Sequence, residues 1–238
     1  LRKDGTLRKR DGETLSRVFP SLDQAALERF LRTALGLLQS NTLIDERDKP
    51  LRVAWERLAE LQPRARRLRL LGSLESGAPE PEAARRMAGF LATLAWVPED
   101  RAFPMQSLRR LYRAMQIRTG RPDERALSLE PLVDLNVLVR AGAGYVLHPD
   151  WSRDQAPEGR LVIQPNFEIT MPPGVDLKRG IPIALASEVR SVETMAVFEL
   201  TREAFQRYLD AGGSPDELAG SFGGAGLPQN IRFSLDSW

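Results

Sequence analysis

The chain has 238 residues and a formal net charge of +2, with 42% hydrophobic and 28% charged residues. This composition is ordinary for a globular protein and argues against disorder. There is no cysteine, which excludes disulfides, thiolate zinc sites and cysteine nucleophiles. The longest apolar runs, such as residues 181–186, are too short to span a bilayer, and the polar N-terminus has no signal-peptide core. We therefore expect a cytoplasmic protein with no membrane partner.

The charge is unevenly distributed along the chain. Residues 1–76 hold 16 Lys and Arg against 11 Asp and Glu, residues 77–152 hold 10 against 9, and residues 153–238 hold 8 against 12. A basic front and an acidic back can orient a protein on a polyanion. Arginine greatly outnumbers lysine, which a GC-rich genome explains as readily as phosphate binding does.

The first 77 residues predict a basic, winged-helix-like domain. A basic arm enters a short helix that Pro20 ends, and Ser21 and Gln24 then have the spacing of a capping box. Apolar residues follow at intervals of three and four as far as Leu38, which indicates an amphipathic helix. Residues 43–50 predict a short hairpin or wing, and a further helix precedes Pro63. This order is typical of a winged helix.

A second winged-helix-like domain is predicted over residues 78–155. The Pro-rich stretch at 77–81 predicts the boundary before it. Helices are predicted at 82–97, around residues 108–115, and at 127–139, with Asn136 on the buried stripe of the last. Gly142 and Gly144 end that helix, and a short strand follows at residues 145–149. We interpret this domain as a degenerate structural repeat of the first.

Residues 160–238 predict a small α/β module. Alternation over residues 161–171 predicts a strand or hairpin, 182–189 a helix and 195–200 a second strand. Thr201, Ser214 and Pro228 predict the starts of three further helices. The predicted fold class is therefore α+β and predominantly helical, with winged-helix-like units followed by a small βαβαα module.

Catalytic and cofactor motifs are absent from the sequence. His148 is the only histidine, so neither a histidine-rich metal site nor a Ser-His-Asp triad is expected. The glycine-rich run at 223–226 lacks the lysine of a phosphate loop. We expect no cofactor, no metal and no enzymatic activity.

Two groups of basic residues are the candidate nucleic-acid-binding residues, because neutralising phosphates releases counterions and so supplies affinity. They are Arg8, Lys9, Arg10, Arg64, Arg66, Arg67 and Arg69. The alternative is that such arginines form a solvated face with nearby carboxylates, and we prefer that alternative for Arg109, Arg110 and Arg113. Most aromatic residues fall on apolar helical faces and are assigned to the core.

Three segments near the C-terminus carry a family resemblance. They are Leu161-Val-Ile-Gln-Pro-Asn-Phe-Glu-Ile, Val197-Phe-Glu-Leu-Thr-Arg-Glu-Ala-Phe and Leu227-Pro-Gln-Asn-Ile-Arg. Together they resemble the helicase-associated domain of bacterial XPB-type DNA helicases and related stand-alone bacterial proteins. The resemblance implies an accessory module beside a helicase motor, in DNA repair or remodelling. The chain itself has no Walker A motif and no Asp-Glu-x-His box, so no ATPase activity is expected.

The sequence thus favours a non-catalytic DNA-binding or helicase-associated accessory protein, with DNA and a helicase as partners. The alternative is an interaction scaffold that docks a protein partner through the acidic C-terminal α/β module.

Overall fold

The computed structural model describes residues 9–97, 101–118, 128–152, 159–223 and 227–238. Helices predominate over two small antiparallel sheets in these residues, which confirms the predicted α+β, mainly helical class. Among them, no helix has both the length and the apolar character that crossing a membrane requires.

The chain forms two compact units. The helical unit comprises the described residues within 28–54 and 61–154, and the sheet unit comprises those within 1–27, 55–60 and 155–238. The first ten elements in chain order are α1 (Lys9–Val18), α2 (Gln24–Ser40), α3 (Arg52–Ala59), α4 (Pro63–Ser76), α5 (Pro81–Ala95), α6 (Met105–Arg118), α7 (Glu130–Asp134), β1 (Leu138–Ala141), β2 (Gly144–Leu147) and α8 (Pro149–Ser152). The remaining elements are β3 (Val162–Ile163), β4 (Glu168–Met171), α9 (Leu177–Ala186), β5 (Ser187–Val192), β6 (Ala196–Leu200), α10 (Arg202–Asp210), α11 (Pro215–Ser221) and α12 (Gln229–Ser237).

The helical unit is built on a hairpin of α4 and α5. Gly77 ends α4 in the left-handed conformation, with φ of 70°, and its N–H donates to the Ser73 carbonyl. The two helices share one core with α6, α7 and β1, and its fully buried side chains include Met87, Phe90, Leu108, Tyr112, Leu132 and Leu138. The domain boundary predicted at residue 77 therefore falls inside one packed core, because the Pro-rich stretch is a tight connection between helices and not a linker.

A two-stranded hairpin closes the helical unit. β1 pairs with β2 in the register Leu138 to Leu147, and Phe103, between α5 and α6, forms an isolated bridge to Tyr145. Gly144 is required there, because a Cβ would lie 2.9 Å from the Phe103 backbone. The helix predicted at 127–139 is wrong over its C-terminal part: α7 stops at Asp134, and Asn136 is exposed with φ of 56°. Its first residue, Leu127, lies outside the described residues.

The β excursion predicted at 43–50 is much smaller than a hairpin. It is one isolated bridge between Ile44 and Pro50. Asp45 organises the intervening turn, since its Oδ1 accepts hydrogen bonds of 2.8 Å from the backbone N–H groups of Arg47 and Lys49. The hydrogen bond that the Lys49 N–H donates is the main reason why the pKa of Asp45 lies below its ordinary value, and the one that the Arg47 N–H donates adds to the effect.

The sheet unit contains a four-stranded antiparallel sheet in the order β3-β4-β6-β5. Ile169 of β4 pairs with Phe198 of β6, and both are buried against the helices that follow. The predicted helix at 182–189 is wrong at both ends. α9 begins earlier, at Leu177, and β5 begins directly after Ala186 and was not predicted. α1 packs on β5, so the first helix contributes to this unit and not to a domain spanning 1–77.

Helix caps tested the local predictions directly. Thr201 Oγ1 accepts from Ala204 N at 3.2 Å and Ser214 Oγ accepts from Glu217 N at 3.1 Å, which confirms both predicted caps. Pro228 stands immediately before α12, also as predicted. At α2 the capping box predicted at Ser21 is wrong: Asp23 Oδ1 accepts from Ala26 N at 2.7 Å, because the helix begins two residues later.

Candidate nucleic-acid interface

The N-terminal candidates fall at the edge of the described chain. Arg8 lies outside the described residues. Lys9 and Arg10 begin α1, and their side chains also lie outside the description. The structure therefore leaves the prediction for these three residues as it stood.

The second arginine group lies on the first two turns of α4. Arg64 and Arg69 are exposed, whereas Arg66 and Arg67 are half-buried. Arg66 Nη2 donates to the Leu61 carbonyl at 3.1 Å, and the Arg67 guanidinium lies 5.4 Å from the ring centroid of Trp151. At 100° per residue these four side chains leave the helix in different directions. The structure thus does not bring the predicted cluster together as one patch, and Arg64 and Arg69 are its solvent-facing members.

A more coherent basic face lies on α6, where the sequence favoured a merely solvated surface. Leu108, Tyr112 and Gln116 recur every fourth residue and are buried. One position further on, Arg109, Arg113 and Ile117 recur with the same spacing and are exposed, and Arg110 is exposed beside them. The 14 residues of α6 contain no Asp or Glu. We call Arg109, Arg110 and Arg113 the α6 arginine face.

Within the part of the chain that the structure describes, a carboxylate from outside the helix reaches this face. Arg109 forms an ion pair with Glu130 at the start of α7. The Ser128 hydroxyl, followed by Arg109, lowers the pKa of Glu130, so this carboxylate is ionised at neutral pH. Part of the charge of Arg109 is therefore compensated within the protein.

The sequence analysis placed Arg109, Arg110 and Arg113 on a solvated face with nearby carboxylates and left them out of the nucleic-acid-binding candidates. The available signal was the absence of Asp and Glu over residues 105–118, combined with the four-residue spacing of the arginines. An exposed helix with arginines and no intrahelical ion-pair partners leaves its positive charge available to an external anion.

The described residues contain no group of three ligating side chains that could hold a metal ion. His148 follows β2, where its backbone N–H donates to the Val137 carbonyl at 2.9 Å and its carbonyl accepts from Trp151 N. Its backbone thus joins β2 to the elements on either side.

The three segments that carry the family resemblance meet within the sheet unit. Asn230 Nδ2 donates to the Pro165 carbonyl at 2.6 Å, and Leu200 N donates to the Phe167 carbonyl at 3.0 Å. Phe167 stacks on Trp238 with ring centroids 5.5 Å apart. These contacts stabilise the hairpin of β3 and β4, so the residues that make them have a structural role in this unit.

No protein-family model matches the chain, and a search of curated proteins finds no match. The resemblance to the helicase-associated domain stays a prediction.

Proposed function

We propose that this chain is a non-catalytic DNA-binding protein whose helical unit contacts the phosphate backbone. The observation that carries the proposal is the α6 arginine face, which is exposed on a helix without carboxylates. Arginines in such a position gain affinity for DNA by releasing the counterions condensed on its phosphates. This contribution is independent of sequence, and the proposal is accordingly for backbone contact, with no base specificity assigned.

The order of elements supports a winged-helix mode of binding. A winged helix consists of a helix, a short strand, two further helices and a hairpin that forms the wing. The helical unit has the same order: α5, the Phe103 bridge, α6, α7 and the β1–β2 hairpin. In that fold a helix approaches the groove while the hairpin contacts the backbone. Arg140, exposed on β1, gives the hairpin a positive charge in the position of a wing.

We further propose that the protein acts beside a helicase in DNA repair or remodelling. This part rests on the resemblance of the three C-terminal segments, and it makes a helicase the expected protein partner. The motor would be supplied by that partner, since this chain carries no nucleotide-binding motif.

The proposal is tested by fluorescence anisotropy with labelled duplex DNA between about 50 and 200 mM salt. We expect binding that weakens steeply with salt. Arg110→Glu together with Arg113→Glu should reduce the magnitude of the log Kd against log salt slope by about 1.8, because each lost phosphate contact contributes about 0.9. The matched control is Arg202→Glu with Arg207→Glu, two exposed arginines on α10 in the sheet unit.

Two results would contradict the proposal. The first is no binding at the lowest salt, which would favour the interaction-scaffold alternative. The second is an equal loss in the α10 control, which would show that binding responds to net charge and not to the α6 arginine face.

A further inference from the structure

Glu75 brings three helices of the helical unit together through one buried carboxylate. It lies near the end of α4, and Arg86 of α5 donates to it through Nε at 2.8 Å and 3.1 Å, to its two oxygens. From α6, Tyr112 Oη donates at 2.6 Å and Gln116 Nε2 at 3.3 Å. The side chains of Arg86 and Glu75 are only 2% and 9% exposed. We call these four residues the Glu75 network.

Within the Glu75 network, the Tyr112 phenol stays protonated and so remains a hydrogen-bond donor to Glu75. Burial, followed by the hydrogen bond to Glu75, raises the pKa of Tyr112 well above its ordinary value. The phenol therefore keeps its proton at every pH at which the protein is expected to work, and it remains a donor to the carboxylate.

Stability alone does not require such a network. Breaking a buried ion pair by removing one partner costs about 3–5 kcal/mol, yet replacing both partners by apolar residues is often neutral or stabilising. The contacts of Glu75 are nevertheless directional, and two of them reach the same helix, α6, one turn apart. Because hydrogen bonds weaken steeply away from a linear geometry, a pair of them on one helix restrains the rotation of that helix.

We propose that Glu75 is a positioning residue for the α6 arginine face, an inference that rests on the proposed DNA binding. Tyr112 and Gln116 lie on one stripe of α6, and Arg109 and Arg113 lie on the stripe one residue further on. Since successive residues differ by 100°, a rotation of α6 about its axis by one position would turn the arginines away from the direction they now face. Glu75 opposes this rotation by holding both side chains of the inner stripe.

The main test removes the buried charges of Glu75 and Arg86 and leaves the α6 arginine face unchanged. Glu75→Leu with Arg86→Met removes both buried charges and leaves every arginine of the α6 face in place. We expect a thermal midpoint at or below that of the wild type, because the buried Tyr112 and Gln116 donors lose Glu75 as an acceptor, together with duplex affinity weakened roughly tenfold at low salt and a shallower salt slope. A stability effect alone would change the midpoint and leave the slope unaltered.

A second, milder variant removes only one bond. Tyr112→Phe deletes the hydroxyl that donates to Glu75, and we expect duplex Kd to rise about threefold, less than the full effect of a hydrogen bond to a charged group, because Gln116 still connects α6 to Glu75. Its matched control is Tyr208→Phe in the sheet unit, because the buried Tyr208 also donates to a carboxylate, that of Glu217, at 2.5 Å. This control should leave duplex Kd unchanged.

The outcomes separate the two proposals. If the wild type binds duplex DNA and the double variant has the same Kd and the same salt slope, the role of Glu75 is overturned and the proposed DNA binding stands. If the double variant does not fold, Tyr112→Phe decides: equal Kd values for Tyr112→Phe, Tyr208→Phe and wild type overturn the role. No duplex binding by the wild type overturns the proposed function itself.

Discussion

At the scale of single residues, a missing side chain sets the distance between α4 and α5. A Cβ on Gly72 would lie 2.7 Å from the Ala84 backbone nitrogen and 2.8 Å from its Cα. Backbone atoms of a helix cannot yield as the end of a flexible side chain can. Gly72 therefore permits the close approach on which the core of the helical unit depends.

Gly72→Ala should destabilise the protein by about 1–3 kcal/mol, because the added methyl forces the two helices apart. The matched control is Gly36→Ala in α2, where a Cβ would meet nothing within 4 Å. In a helix interior that change should stabilise by about 0.5–1 kcal/mol. Thermal and urea unfolding measure both, and equal effects of the same sign would contradict the packing argument.

At the scale of elements, capping residues help to fix where helices begin. At the start of α2, the residue that the sequence pattern predicts as the cap differs from the residue that caps the helix in the structure. Ser21 and Gln24 match the capping-box spacing, but the carboxylate of Asp23 makes the capping bond. Both residue types are good N-caps, so local pattern alone did not choose between them. In the structure α2 begins at Gln24, so Asp23 and not Ser21 occupies the N-cap position.

Asp23→Ala should therefore cost about 1 kcal/mol of stability, the usual effect of losing an N-cap, whereas Ser21→Ala should change it by less than about 0.5 kcal/mol. Chemical denaturation of the two variants in parallel provides the comparison. A larger loss for Ser21→Ala would restore the capping box that the sequence predicted.

Strand β5 shows a limit of local signals at the same scale. Its sequence, Ser-Glu-Val-Arg-Ser-Val, follows α9 without a break, and Pro182 lies inside that helix although proline usually marks a helix start. Short strands gain most of their stability from their neighbours, and β5 forms because β6 offers it partners from Leu200 to Ala196, with a shift in register between Val189 and Ser191. No pattern within residues 187–192 contains that information.

At the scale of the whole molecule, each unit has its own hydrophobic core. Phe205 is fully buried in the sheet unit and Phe90 is fully buried in the helical unit. The sheet unit is discontinuous in sequence, since α1 joins strands that lie more than a hundred residues later. Separate cores predict separate responses to core substitutions.

Phe205→Ala should cost about 3–5 kcal/mol in the sheet unit. Hydrogen exchange measured by mass spectrometry should then show faster exchange in β4, β6 and α10, with α4 and α5 protected as in the wild type. Phe90→Ala should give the reverse pattern. Uniformly faster exchange throughout the chain in either variant would mean that the two cores unfold as one cooperative unit.

The features that the sequence determined by itself depend on residues that are close together in the chain. The caps at Thr201 and Ser214, the amphipathic α2 and the alternation around Ile169 depend on local bonds and local periodicity, and the structure has them. Tertiary structure alone decided the partners of Glu75, which meets Arg86 11 residues away and Tyr112 37 residues away. It also decided that Arg66 and Arg67 are half-buried, because the Arg66 guanidinium donates to the Leu61 carbonyl and the Arg67 guanidinium lies beside the ring of Trp151, 84 residues further along the chain.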